Sequence, residues 1–298
     1  MMRRWLLTFT TALLLCPLLV WAESFSPDGG CTLVTSLTAH WDLDEASGTR
    51  VDAKGANDLT DNNTVTQATG IVSNAAQFTS ATTEYLSLAD NAALSTGDID
   101  YTFAAWVYLD TIAGDTGIVN KHNTLNQKEY MMTTTTTQFR WFVSNDGTAE
   151  SNVLASTFGN LSTATWYFVV VYHDSVNNLI GISVNNGAFD TTAHSTGSFD
   201  STSPFELGRR DDAGATVYLN GRMDETGFWK KMLTSQELTD LYNGGSGNTY
   251  NAAGDCRRRV MLISRLPWLA ERLCGAPPSP RPGSIGRAIH EARARCGS

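Results

Sequence analysis

Tyr101-Thr102-Phe103-Ala104-Ala105-Trp106-Val107-Tyr108-Leu109 is the stretch on which the fold turns. In an extended chain successive side chains point to opposite faces. Phe103, Ala105, Val107 and Leu109 therefore share one side, and Ala104, Trp106 and Tyr108 share the other. Both sides are apolar, which predicts a strand in the middle of a sheet with cover on each face. Trp166-Tyr167-Phe168-Val169-Val170-Val171-Tyr172 reads the same way and is followed by the alternating run Leu179 to Val184. Asn185-Asn186-Gly187 then supplies residues that tolerate positive φ, as a type I′ hairpin requires.

Outward from these, short strands are predicted at 39–43, 75–79, 85–88, 117–121, 129–133, 138–143, 153–158, 204–208, 217–220 and 222–229. Short strands at regular spacing, rich in Thr, Asn, Gly and aromatics, mean an all-β sandwich or barrel. A single helix is predicted at Thr234-Ser235-Gln236-Glu237, a capping box in which the threonine and the glutamate reciprocally satisfy the first free amides. Leu238, Leu241 and Tyr242 fall on one of its faces, and Asn243-Gly244-Gly245 ends it. This helix is expected to plug one end of the sandwich.

The two ends of the chain differ from the middle. Met1-Met2-Arg3-Arg4, an apolar run to Trp21 and a small residue at Ala22 have the pattern of a secretory signal peptide over 1–22. Secretion to the extracellular side is the expectation, with residues 23–34 as a linker, a β domain over 35–250 and a tail over 251–298. Residues 257–298 hold nine arginines against Glu271 and Glu291. Two readings of it stay open, a basic arm or residues read beyond the natural frame. Pro17, and later Arg265, Pro267, Glu271 and Arg272, interrupt the apolar runs, so no transmembrane segment is expected in the mature chain. Residues 23–256 carry ten basic against 28 acidic side chains. Such a surface excludes nucleic acid as a partner and suits divalent cations and neutral or cationic ligands. In an oxidising compartment disulfides are the default, and Cys31 and Cys256, at the two borders of the β region, are expected to pair.

The order of several motifs resembles the laminin G-like jelly rolls of the concanavalin A-like lectin and glucanase superfold, in the branch related to pentraxins. They are Ala39-His40-Trp41-Asp42-Leu43-Asp44-Glu45, the acidic loop Asp52 to Leu59, Asn74-Ala75-Ala76-Gln77-Phe78, residues 101–107, Thr165-Trp166-Tyr167, and Gly221-Arg222-Met223-Asp224-Glu225 leading to Trp229. The resemblance implies a two-sheet antiparallel jelly-roll sandwich with one short C-terminal helix. It places Trp41, Trp106 and Trp166 at packing positions. It also implies that Asp224 lies beside the acidic loop, because first and last strands neighbour each other in such jelly rolls. A fold of this kind hosts many functions, so it does not fix one.

Two chemical expectations follow. Hard cations take carboxylate and carbonyl oxygens, so Asp52, Asn57, Asp58 and Asp224, with Glu45, form a candidate set for a structural calcium; the other reading is a solvated acidic loop. A sugar surface wants flat aromatics and a few polar groups, which selects Tyr130, Arg140 and Trp141 with Lys121 and His122. Against this, Trp141 shares a strand face with Phe139, the pattern of a core. Glycanases of the superfold carry acids at alternate strand positions to set two carboxyls about 5 Å apart. Asp42-Leu43-Asp44 and Asp98-Ile99-Asp100 lack the third acid. No nucleophile elbow, zinc-binding helix or phosphate loop is present. The expectation is a non-catalytic module that binds carbohydrate or a cell-surface protein. The alternatives are a glycan-active hydrolase and a purely structural surface domain.

Overall fold

The computed structural model describes residues 31–123, 126–212 and 215–248. The chain runs through β1 (Leu37–Trp41), β2 (Thr60–Asn62), β3 (Thr66–Thr69), β4 (Asn74–Phe78), β5 (Tyr85–Leu88), β6 (Tyr101–Leu109), β7 (Gly117–Asn123), β8 (Gln127–Thr134) and β9 (Phe139–Val143). It continues through β10 (Ser151–Leu154), β11 (Trp166–Asp174), β12 (Leu179–Val184), β13 (Asp190–Ala193), β14 (Phe205–Leu207), β15 (Arg209–Asp212), β16 (Ala215–Tyr218), β17 (Gly221–Trp229) and the helix α1 (Ser235–Tyr242). One sheet has eight strands in the order β13-β12-β11-β6-β17-β4-β3, with β1 also paired to β17. The second has seven, β10-β9-β8-β7-β14-β5-β2. All these pairings are antiparallel, and the first and last long strands are neighbours. The two-sheet antiparallel sandwich with one short C-terminal helix is the architecture expected of the jelly roll.

Strand β6 sits centrally, between β11 and β17, as its two apolar faces require. Phe103, Val107 and Leu109 join Trp41, Phe78, Trp141, Phe205 and Phe228 in the cluster between the sheets. Phe103 stacks on Phe228 at 4.4 Å between ring centroids, an arrangement that adds to simple burial. From the other face of β6, Ala104 and Trp106 enter a second cluster with Phe168, Val170, Trp229, Leu238 and Leu241. Helix α1 therefore packs on the outer face of the eight-stranded sheet, with Tyr242 stacked on Trp106 at 5.8 Å. This corrects the expectation that it plugs an end. Its apolar stripe has the outward residues of β6 and β11 to cover, and an end of the sandwich offers no such surface. Trp229 is tied down further by its indole N–H, which donates to the Leu33 carbonyl at 2.7 Å.

Local chemistry fixes the connections. Asn185 and Asn186 have φ of 54° and 57°, as a type I′ turn demands. Gly117 has no alternative, because a Cβ there would meet the Arg210 amide nitrogen of β15 at 2.1 Å. That close approach lets β15 run on beside β7 beyond the end of β14. Cys256, the expected partner of Cys31, lies outside the described residues, as do the proposed signal peptide and the whole of the tail. Among the described residues no helix is long and apolar enough to cross a membrane.

The capping box forms as read: Thr234 Oγ1 accepts from the Glu237 amide at 3.3 Å, and Glu237 Oε2 accepts from the Thr234 amide at 2.9 Å. Replacing Thr234 by Ala is expected to cost about 1 kcal/mol, read as a lowered midpoint in urea unfolding. An unchanged midpoint would mean that α1 is held by its apolar stripe alone.

Candidate functional site

The acidic residues picked out as cation ligands turn out to be organisers of turns. Both oxygens of Asp52 are engaged, Oδ1 by the amides of His40 and Lys54 (2.9 Å each) and Oδ2 by the amide and side chain of Asn57 (3.1 and 2.8 Å). Asp58 Oδ1 accepts from the Asp52 amide, Glu45 Oε1 from the Val51 amide, and Asn57 Oδ1 from Asn91. Asp224 sits against another loop, where its Oδ2 accepts from the amides of Ile71 (2.7 Å) and Val72 (2.9 Å). Burial pushes its carboxyl up to about 8. Only its Oδ1 is buried without a partner among these carboxylates apart from Glu45 Oε2, which lies 3.9 Å from Arg50 Nε. Among the described residues no group of three or more His, Cys, Asp or Glu is placed to hold a metal ion. The five do not fit calcium as one donor set, since most of their oxygens already accept protein N–H groups. The melting temperature is accordingly expected to be the same in calcium and in a chelator. A rise with calcium that disappears in Asp224→Asn would assign the unpartnered oxygen to a cation.

The five residues picked out for a sugar surface are dispersed. Tyr130 and Trp141 do meet, stacked at 5.9 Å, but inside the sandwich and 1% and 0% exposed. On β9 the inward set is Phe139, Trp141 and Val143, so the pattern of a core prevails over that of a platform. Lys121 is buried in an ion-pair network: its Nζ lies 2.7 Å from Glu129 and 2.9 Å from Asp90, and donates to the Ser201 carbonyl at 2.7 Å. Losing either charge of such a buried pair would strand the other. His122 lies at the far end of β7, its Nδ1 3.6 Å from Glu150. Of the five, only Arg140 points out from the middle of a sheet. It pairs with Asp115 and lies over the Phe142 ring at 4.3 Å.

That position leads to the outer face of the seven-stranded sheet, which belongs to neither hydrophobic cluster. Strand register sets Ser87, Glu206, Asn120, Met131, Phe142 and Asn152 in one row across β5, β14, β7, β8, β9 and β10. Thr133 and Arg140 form the next row on β8 and β9. The alternation is visible on each strand, since Phe205, Leu207, Val119, Tyr130, Met132, Trp141 and Val143 point the other way into the core.

The groups of this row are tightly held. Glu206 Oε2 accepts from Asn120 Nδ2 at 3.1 Å, and its Oε1 lies 3.2 Å from Arg209 Nη1. Burial raises its carboxyl to about 7, with Arg209 and the Asn120 hydrogen bond pulling the other way. Arg209 is itself shared with Asp211 and stacks over Tyr85 at 4.6 Å. Asn120 also donates to the His122 carbonyl at 3.1 Å, while its own Oδ1 has no partner and the residue is 0% exposed. The Thr133 hydroxyl is buried and unpartnered in the same way. Buried polar groups normally find partners. Here an acceptor, a hydroxyl and a carboxyl that changes charge near neutrality flank a ring and a thioether.

Because Glu206 titrates higher in the folded chain than the ordinary 4.5, the fold favours its protonated form. Its stabilising contribution is complete below pH 4.5 and is lost as pH rises through about 7. Glu206→Gln removes that loss. The stability difference between variant and parent in urea unfolding is expected to shift towards the variant by on the order of 3 kcal/mol across this window. A difference independent of pH would mean that Glu206 is ionised throughout.

Residues 80–239 match the laminin G family described as the concanavalin A-like lectin/glucanases superfamily. No curated protein matches the chain. Among solved structures it is similar to the binding domain of Paraclostridial Mosquitocidal Protein 1, with TM-score 0.58 and 14% identity over 72% of this chain and 53% of that one. It is also similar to domain 4 of AbnA, a GH43 extracellular arabinanase from Geobacillus stearothermophilus, in complex with arabinotriose. There the TM-score is 0.51 and the identity 18%, over 69% of this chain and 97% of that one. A third is a botulinum neurotoxin type C structure whose cell entry depends on two ganglioside molecules, with TM-score 0.57 and 12% identity over 72% and 52%. The chain spans about half the length of the toxin structures it matches. At these identities the likeness is one of fold.

Proposed function

We propose, from the premise that this chain belongs to the concanavalin A-like lectin/glucanases superfamily, that it is a non-catalytic module binding a neutral saccharide on the outer face of its seven-stranded sheet. One observation carries the reading: Asn120 Oδ1 and the Thr133 hydroxyl are buried without partners beside the buried Phe142 and Met131, on a sheet face whose described residues enter neither hydrophobic cluster. Sugar hydroxyls satisfy such groups, and the apolar faces of sugar rings pack on aromatic carbon. The charges around the row compensate one another, with Arg140 and Arg210 on Asp115 and Arg209 on Glu206 and Asp211. That balance favours an uncharged ligand. Two of the similar structures are named for arabinotriose and for gangliosides, which is in keeping with a glycan partner. We place the module outside the cell, on the signal-like pattern of residues 1–22.

A hydrolase is the second reading, and Glu206 is what favours it, since a carboxyl near neutrality suits proton transfer. Its strand weakens the case. The alternate positions beyond it are Gly208 and Arg210, where a retaining glycanase needs a second carboxyl about 5 Å away.

The test is a glycan array probed with the full chain and with two variants. Neutral glycans are expected to bind. Asn120→Ala should weaken them about threefold to tenfold, the worth of one hydrogen bond, and Phe142→Ala should weaken them as well. No bound glycan at all would sink the reading. Cleavage of a bound glycan that stops in Glu206→Gln would establish the hydrolase.

A further inference from the structure

A recess lies at the rim where β10 of one sheet comes beside β13 of the other. It is a cavity of about 270 Å³, bordered by the turn before β10 and the loop after β13. Hydrogen-bonding side chains supply most of its lining. Glu150 enters with one oxygen held by Lys128 Nζ at 2.8 Å. Asn145 donates from Nδ2 to Thr196 Oγ1 at 2.6 Å, which leaves its own carbonyl oxygen to accept. His194 is 5% exposed, and its Nε2 is 2.8 Å from the Gly197 carbonyl, to which it donates. That bond fixes the tautomer and leaves Nδ1 as an acceptor. Burial holds the ring's pKa below its ordinary value, so it is neutral. The hydroxyls of Ser151 and Ser195 complete the set.

Among the described lining residues acceptors outnumber fixed cations, and Lys128 is already paired with Glu150. Such a lining rejects anions and suits a ligand rich in hydroxyl donors. Among the described residues no Phe, Tyr or Trp lines the recess, so its selectivity would come from hydrogen bonds.

The recess lies around the sheet edge from the β10 end of the Glu206 row: His122 Nδ1 is 3.6 Å from Glu150, and Ser151, which precedes Asn152 at the end of the row, pairs with the inward-facing Val143. From β14 to β10 there are four strand spacings, about 19 Å. We propose that this rim recess is an end subsite that receives the terminal ring of a neutral oligosaccharide whose inner units lie along the Glu206–Phe142 row. This rests on the saccharide reading above. A sheet face accepts a chain at any point along a row, whereas a recess at its rim accepts an end.

Calorimetric titration of the full chain with arabino-, xylo- and cello-oligosaccharides of increasing length separates the two sites. Ser195 is exposed on a loop, so Ser195→Trp fills the recess with little consequence for the fold, which an unchanged melting temperature checks. Affinity of the parent chain is expected to rise with ligand length. Ser195→Trp should remove that rise, a loss of about tenfold for the longest ligand, and leave the shortest unaffected. Phe142→Ala should weaken every length. If Ser195→Trp binds all lengths like the parent while Phe142→Ala is weakened, the end subsite is wrong and the sheet-face reading stands. If Ser195→Trp alone abolishes binding, the recess is the site and the sheet-face reading falls. Binding of none of these probes by the parent chain overturns both.

Discussion

The ladder that joins β6 to β11 and β17 is buried on both of its sides, and most of the rest of the structure follows from that. One side of β6 fills the space between the sheets with Phe103, Val107 and Leu109; the other places Ala104 and Trp106 under α1. A strand that is apolar on both faces cannot leave either to water, because each buried side chain of this size is worth about 1.5–3 kcal/mol. The helix is therefore committed to the eight-stranded sheet. The seven-stranded sheet, apolar on one face only, keeps its other face for polar and half-apolar groups, and this asymmetry positions the candidate site.

The same asymmetry distinguishes two kinds of buried charge. Lys121, Glu129, Asp90 and Ser201 form a network in which the ammonium and both oxygens of Glu129 are satisfied by protein. Such a network fixes geometry and has nothing left to offer a ligand. Asn120, Thr133 and Glu206 are as deeply placed, but each of the first two has an atom with no partner. The difference between a structural polar cluster and a receptive one is this remainder, and sequence does not report it.

How much of this the residues announced can be followed strand by strand. The long strands were legible because their apolar side chains repeat every second position, as in Tyr101–Leu109 and Trp166–Asp174, and the helix because its capping box is a local chemical unit. Thr60–Asn62, Thr66–Thr69, Asp190–Ala193 and Arg209–Asp212 were not foreseen as strands. They are short, polar segments that owe their extension to a neighbour's hydrogen bonds. For the site, Arg140 was found, but its neighbours were misjudged by phase: Trp141 and Tyr130 turn inward, and Phe142 and Met131, one position away, turn outward. Glu206 and Asn120 carry no motif. They matter because register places them side by side and because α1 covers the opposite sheet, both of which are facts of tertiary structure. The acidic loop looked like a cation site because carboxylates and amides serve turns and metals alike, and only the hydrogen bonds of Asp52 tell the two apart.

Methionine methyl resonances offer the most direct measurement of whether the outer face of the seven-stranded sheet receives the ligand. Met131 points out from β8 into the row, while Met132, the next residue, points into the core, as does Met223 on β17. With methyl-labelled methionine in the full chain, adding a glycan selected by the array should shift the Met131 signal and leave Met132 and Met223 where they are. A bound glycan that leaves Met131 unmoved would contradict the account and send the search to another surface.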